Sequence, residues 1–214
     1  MKLLLASGNP KKRKELEAML APLGVELLTP AELDGIPDVD EDQDTFRGNA
    51  AKKALSATGA TGLACLADDS GLEVEALNGA PGVYSARYSG ADANDARNNA
   101  KLLNELVGLP AEKRGAEFKC ALALALPEPN GGARIAAEFE GSVQGRILEV
   151  AAGSGGFGYD PLFLFTEEGE PGCGSAFAEL TSAQKSSVSH RGRALNKLIK
   201  RLPELLSPHF SSAD

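Results

Sequence analysis

Histidine and cysteine are scarce in this 214-residue chain: two of the first and three of the second. Two histidines cannot build a histidine-rich zinc centre. Cys65, Cys120 and Cys173 are scattered, without metal-ligand spacing. They argue against a disulfide framework and for a reducing compartment. Long apolar runs are lacking too, so no stretch reads as a membrane span. The apolar start is too short for a signal-peptide core, and its charges follow it instead of preceding it. Positive charge is in deficit, with a net charge of −8. The whole molecule therefore repels nucleic acid and acidic membranes, and a polyanion needs a local basic patch. A cytoplasmic protein with neither a nucleic-acid nor a membrane partner is expected.

What is present is ordinary globular material, 43% hydrophobic and 24% charged. The length fits one domain over residues 1–214, built as two closely joined lobes. No internal repeat or low-complexity linker stands out. Apolar patterning predicts strands over Lys2–Ala6, Glu26–Leu28, Leu63–Ala67, Leu72–Val74, Phe118–Leu126, Ile135–Val143 and Leu162–Phe165. It predicts helices over Pro10–Leu20, Thr45–Thr58, Asn94–Leu106 and His190–Leu202. Residues 127–132 read as an exposed hairpin loop between two long strands. Local pairing of those strands among interleaved helices implies a mixed sheet. The middle of the chain is the candidate second lobe, with a cleft between lobes.

Ser7-Gly8-Asn9-Pro10-Lys11-Lys12-Arg13-Lys14 follows the first apolar run. Asn9 reads as an N-cap and Pro10 as the first helical residue. Leu16, Met19, Leu20 and Leu23 give the buried face. Cations crowd a first turn where the helix dipole prefers anions. An external anion resolves that conflict, and strand–Gly loop–helix is a phosphate-binding arrangement. The same violation recurs at the last helix, where Ser189 is the N-cap of Ser189-His190-Arg191-Gly192-Arg193, with Lys185 just upstream.

A second constellation is Asp68-Asp69-Ser70-Gly71, which closes an apolar run. Adjacent carboxylates on a buried strand need cations to meet them. Alternation along the strand lets one of the two face a given site, as a Mg²⁺ ligand or general base. The alternative is a turn in which Asp and Ser cap the backbone. Upstream, Asp38 to Asp44 form an acidic stretch, with Asp44 a fair N-cap for a helix that carries Asn49 and Lys53 on one side.

Gly153-Ser154-Gly155-Gly156-Phe157-Gly158 matches a dinucleotide fingerprint, but Tyr159-Asp160-Pro161 cannot begin the required helix. A loop presenting Phe157 and Tyr159 to a base is one reading; two aromatics folded back over a core edge is the other.

Together these pieces resemble the inosine triphosphate pyrophosphatase family, which hydrolyses non-standard purine nucleoside triphosphates, and are most similar to its bacterial members. The matching segments are Ser7–Lys12, Thr45-Phe46 with Asn49-Ala50 and Lys53-Ala54, and Ala67–Leu72. Gly79–Tyr88, Gly155–Pro161 and Lys185 with Ser189–Gly192 follow in the family's order. Two departures are Ser7 in place of the usual Thr, and Arg47-Gly48 where acidic residues are common.

The resemblance implies an α/β fold with an elongated mixed β-sheet and flanking helices, two lobes with the active-site cleft between them, and a homodimer. It implies Mg²⁺-dependent cleavage to monophosphate and pyrophosphate. Asp69 maps onto the proton acceptor and metal ligand, with Lys12 and Lys53 as catalytic cations. An upstream metal carboxylate falls at Asp40 or Glu41. Substrate contacts map onto Ser7, Gly8, Asn9, Pro10, Lys11, Lys12, Ser70, Phe157, Gly158, Tyr159, Asp160, Lys185, His190 and Arg191. Competing readings are a Maf-like pyrophosphatase of different base preference, a non-catalytic nucleotide-binding protein, and a nucleic-acid binder using Lys11–Lys14.

Overall fold

The computed structural model describes residues 2–33 and 35–206. Its elements run β1 (Lys2–Leu5), α1 (Pro10–Leu20), β2 (Glu26–Leu28), α2 (Phe46–Thr61), β3 (Cys65–Val74), α3 (Asp95–Glu105), β4 (Gly115–Pro127), β5 (Ala133–Ile147), β6 (Phe163–Phe165), α4 (Ser182–Val188) and α5 (His190–Leu206). Six strands form one mixed sheet in the order β2-β1-β3-β4-β5-β6. β1 runs parallel to β2 and β3, whereas β5 and β6 are antiparallel. Leu3, Leu4 and Leu5 are all buried, as expected of a parallel strand covered on both faces. No helix among the described residues is long and apolar enough to cross a membrane.

The chain divides into two compact units. One takes the N-terminal residues through Asp69, Ala121–Glu140 and the residues from Ala194 onward. Its core holds the β1 leucines, Leu16 and Leu20 of α1, the small face of α2 (Ala50, Ala54, Ala57) and Leu195, Leu198 and Leu202 of α5. The other comprises Ser70–Cys120 and Gly141–Arg193. Phenylalanines dominate its core: Phe118 lies 4.6 Å from Phe163 and 5.9 Å from Phe177, centroid to centroid. Such pairs add about 0.5–1.5 kcal/mol each beyond area burial.

Four expectations change. The strands expected at Leu63–Ala67 and Leu72–Val74 are one continuous strand, β3, so Asp68 and Asp69 lie inside it and not at its end or in a turn. Thr45, not Asp44, caps α2, its Oγ1 accepting from the Gly48 N–H at 3.0 Å. Leu23 is 47% exposed because α1 stops at Leu20 and a tighter turn follows. Finally α4, only seven residues long, carries too few periodic residues to be read from the sequence.

Candidate functional site

The first unit carries the residues that the resemblance implies for the triphosphate. Asn9 caps α1 as expected: its Oδ1 accepts from the N–H groups of Lys11 at 2.9 Å and Lys12 at 3.3 Å. Pro10 has no N–H, and the Arg13 N–H bonds to the Asn9 carbonyl. The first turn of α1 therefore has no spare amide for an anion, contrary to the helix-terminus reading. The Ser7 N–H is also taken, by the Leu5 carbonyl at 2.9 Å, which leaves the side chains and the Gly8 backbone to meet an anion there. At Gly8 nothing lies within 4 Å of where a side chain would start, so the approach is open.

The first-turn conflict with the dipole has an internal answer. Lys12 reaches the carboxylate of Asp68, which is fully buried in β3. Its neighbour Asp69 faces a different lysine. Lys53 Nζ donates to Glu41 Oε1 at 2.8 Å, to the Asp68 carbonyl at 2.8 Å and to Asp69 Oδ1 at 3.2 Å. The alternation of the strand thus gives each aspartate its own cation. Burial raises the Asp69 carboxyl above the usual range; Lys53 and Lys12 pull it down, and Glu41 and Asp68 add to the rise. Burial alone would lower the Lys53 ammonium, but Asp69 and Glu41 outweigh it and the net shift is upward.

Of the two upstream carboxylates, Glu41 is the one whose side chain shares Lys53 with Asp69. Asp40 is exposed and contributes its main-chain carbonyl, which accepts from Lys52 at 2.9 Å. Asn49, fully buried, pins this stretch: its Oδ1 accepts from the Gln43 N–H at 3.0 Å and its Nδ2 donates to the Gln43 carbonyl at 3.4 Å. A side chain at Gly48 would meet Gln43 Cβ at 2.9 Å, so glycine lets the Gln43 stretch lie close against the start of α2.

Asp69 Oδ2 is buried with no hydrogen-bond partner among the described residues. An orphaned carboxylate oxygen beside Glu41 suits a hard cation such as Mg²⁺. Among the described residues no group of three His, Cys, Asp or Glu side chains is arranged to hold a metal.

The second unit carries the residues that the resemblance implies for the base and sugar. Asp160 is buried; its Oδ2 accepts from Lys185 Nζ at 2.7 Å and from the Phe157 N–H at 2.7 Å. Lys185 Nζ sits 4.6 Å from the Phe157 ring centroid and the Arg191 guanidinium 5.8 Å from it. Arg191 also donates to Ser70 Oγ at 2.8 Å. Phe157, Asp160, Lys185, Arg191 and Ser70 therefore form one connected group. His190 stacks on Phe118 at 4.8 Å. Ser189 Oγ accepts from the Gly192 N–H at 3.1 Å, the cap expected for α5. A side chain at Gly192 would run into the Ser186 carbonyl, so glycine lets α4 and α5 meet closely.

Tyr159 leaves the group. It is 4% exposed, belongs to the phenylalanine core and donates its hydroxyl to the Ser85 carbonyl at 2.9 Å. Of the two loop aromatics, Phe157 alone keeps a place beside the cations. No helix follows Gly158, so the dinucleotide fingerprint is a chance match.

A model of the Ham1 family matches residues 3–201. The chain belongs to the Ham1 family. Among Ham1 relatives it is 50% identical over 205 residues to the dITP/XTP pyrophosphatase of Desulforamulus reducens, covering 96% of this chain and 97% of that one. It is likewise 50% identical to the dITP/XTP pyrophosphatase of Geobacter sulfurreducens, over 91% of this chain and 92% of that one. Its fold matches the Ham1 protein of Coxiella burnetii with a TM-score of 0.81 at 39% identity, covering 95% and 99% of the two chains. The Staphylococcus aureus Ham1 protein gives 0.79 at 36% identity, with the same coverage.

Proposed function

We propose that the protein hydrolyses non-standard purine nucleoside triphosphates, namely inosine, deoxyinosine and xanthosine triphosphates, to the monophosphate and pyrophosphate. The observation that carries this reading is Asp69: a buried carboxylate, raised by burial, with one oxygen on Lys53 and the other unpartnered. Such a group is suited to take a proton from water. Water attacks the α-phosphorus, its proton passes to Asp69, and the bond from the α-phosphorus to the bridging oxygen breaks. The electron pair leaves with pyrophosphate.

Lys12 and Lys53 are assigned to the negative charge of the triphosphate, with Ser7 and Gly8 beside them. Mg²⁺, held by Asp69 and Glu41, would supply charge neutralisation for the leaving pyrophosphate. The base is assigned to Phe157, Lys185 and Arg191. Arg and Lys donors favour a 6-oxo purine; the 6-amino group of adenine is itself a donor and leaves buried donors unpaired. Mismatches of this kind reach ~10⁴–10⁵ in rate. A homodimer in the cytoplasm belongs to the same proposal, on the strength of the family resemblance.

The test is pyrophosphate release from inosine, xanthosine, guanosine and adenosine triphosphates, with and without Mg²⁺. Fast release from the first two that requires Mg²⁺ is expected. Release of inorganic phosphate with a diphosphate product overturns the reading.

A further inference from the structure

One loop residue, Gly158, has both of its backbone polar groups held by a single helix. Its N–H donates to Asp95 Oδ2 at 2.9 Å, and its carbonyl accepts from Asn99 Nδ2 at 3.0 Å. Asp95 opens α3 behind the N-cap Asn94, and Asn99 follows one turn later. Residues four apart share a helix face, so the pair makes a two-point grip. Gly158 has φ of +61°, a conformation other residues rarely adopt.

The grip fixes the peptide that follows Phe157, while Asp160 holds the Phe157 N–H. Phe157 is thus held from both sides. Its ring is kept beside Lys185 and Arg191. Asn99 is an odd choice for a merely structural contact: its Oδ1 is buried with no hydrogen-bond partner among the described residues. A buried acceptor left in that state calls for an explanation, and holding the Gly158 peptide supplies one.

We infer that Asp95 and Asn99 are positioning residues that fix the Phe157 platform and thereby set base affinity and discrimination. The inference rests on the assignment of the base to Phe157. A platform ordered before binding loses less freedom when the base stacks on it. Neither residue touches the reacting atoms, so their effect falls on KM and on the choice of base, not on the chemical step.

The experiment compares Asn99→Leu, Asp95→Ala and Phe157→Ala with the unaltered protein. Steady-state pyrophosphate release is measured on dITP and dATP, alongside melting temperature and amide exchange over residues 157–160. Asn99→Leu keeps bulk and removes the orphaned acceptor together with the donor to the Gly158 carbonyl, two effects of opposite sign, so its melting temperature should move little. Exchange at residues 157–160 should quicken about tenfold in both grip variants. KM for dITP should rise at least fivefold with kcat within twofold, and the dITP-to-dATP preference should shrink. Unchanged KM and preference in both grip variants, with Phe157→Ala impaired, overturns the positioning role alone. An unimpaired Phe157→Ala overturns the base assignment and the inference with it.

Discussion

Lys53 and Asp69 are joined at 3.2 Å, and the same ammonium lies 2.8 Å from Glu41. One lysine thus gathers the two carboxylates assigned to Mg²⁺ and leaves Asp69 Oδ2 with no hydrogen-bond partner among the described residues. Aspartate at this position is maintained against its burial. That gives a clear expectation for its removal.

Asp69→Asn should lower turnover by roughly 10²–10⁴, the usual loss when a general base is removed. It should also stabilise the ligand-free protein at neutral pH. Because the folded-state pKa is raised, the native form binds the proton more tightly than the unfolded chain. Ionisation of Asp69 therefore costs stability, fully so above the raised value and not at all below about pH 4, the unfolded carboxylate range. Melting temperatures of the two proteins should converge as pH falls and separate as it rises. A variant less stable at pH 8 than the unaltered protein contradicts this.

Lys12→Ala should destabilise the fold. A first-turn cation set against the dipole would be removed at no cost, but Lys12 is the cation of the fully buried Asp68. Removing one partner of a buried pair costs about 3–5 kcal/mol. Denaturant melts should show the loss, and Lys12→Ala/Asp68→Asn should recover part of it. Triphosphate KM should rise in both. A single variant as stable as the unaltered protein would show the pair to be energetically idle.

Glu41→Gln should weaken Mg²⁺ activation and turnover by tenfold or more, whereas Asp40→Asn should leave both within about twofold, as expected when a variant retains every contact of a main-chain carbonyl. Asn49→Ala frees the Gln43 backbone and should resemble Glu41→Gln in its Mg²⁺ titration. Equal effects of Asp40→Asn and Glu41→Gln would contradict the choice between them.

Much of the framework is legible in the sequence, because it rests on local signals. The Asn9-Pro10 start fixes α1 at Pro10–Leu20, and three consecutive leucines give β1. Residues that matter through long-range pairing are not legible. Nothing near Asp68 says that its cation lies in α1, nor near Glu41 that it shares Lys53 with Asp69. The aspartate doublet did carry a usable signal, since alternation implies two faces. It was misplaced only because Gly71 and Ser70 resemble a turn, while pairing in the sheet extends the strand through them. Tyr159 was ambiguous for a related reason: a glycine-rich loop does not reveal which aromatic the core takes.

Tyr159→Phe separates these two aromatics. Losing the hydroxyl that donates to the Ser85 carbonyl should cost about 0.5–1.5 kcal/mol of stability. Base preference should not move. A changed dITP-to-dATP ratio would return Tyr159 to the base site.

The most direct measurement is product analysis of dITP and dATP turnover by the unaltered protein and by Asp69→Asn. The account predicts deoxyinosine monophosphate and pyrophosphate in equal amounts, little turnover of dATP, and near-complete loss in the variant. Deoxyinosine diphosphate with inorganic phosphate, equal rates on the two nucleotides, or an active Asp69→Asn would contradict it.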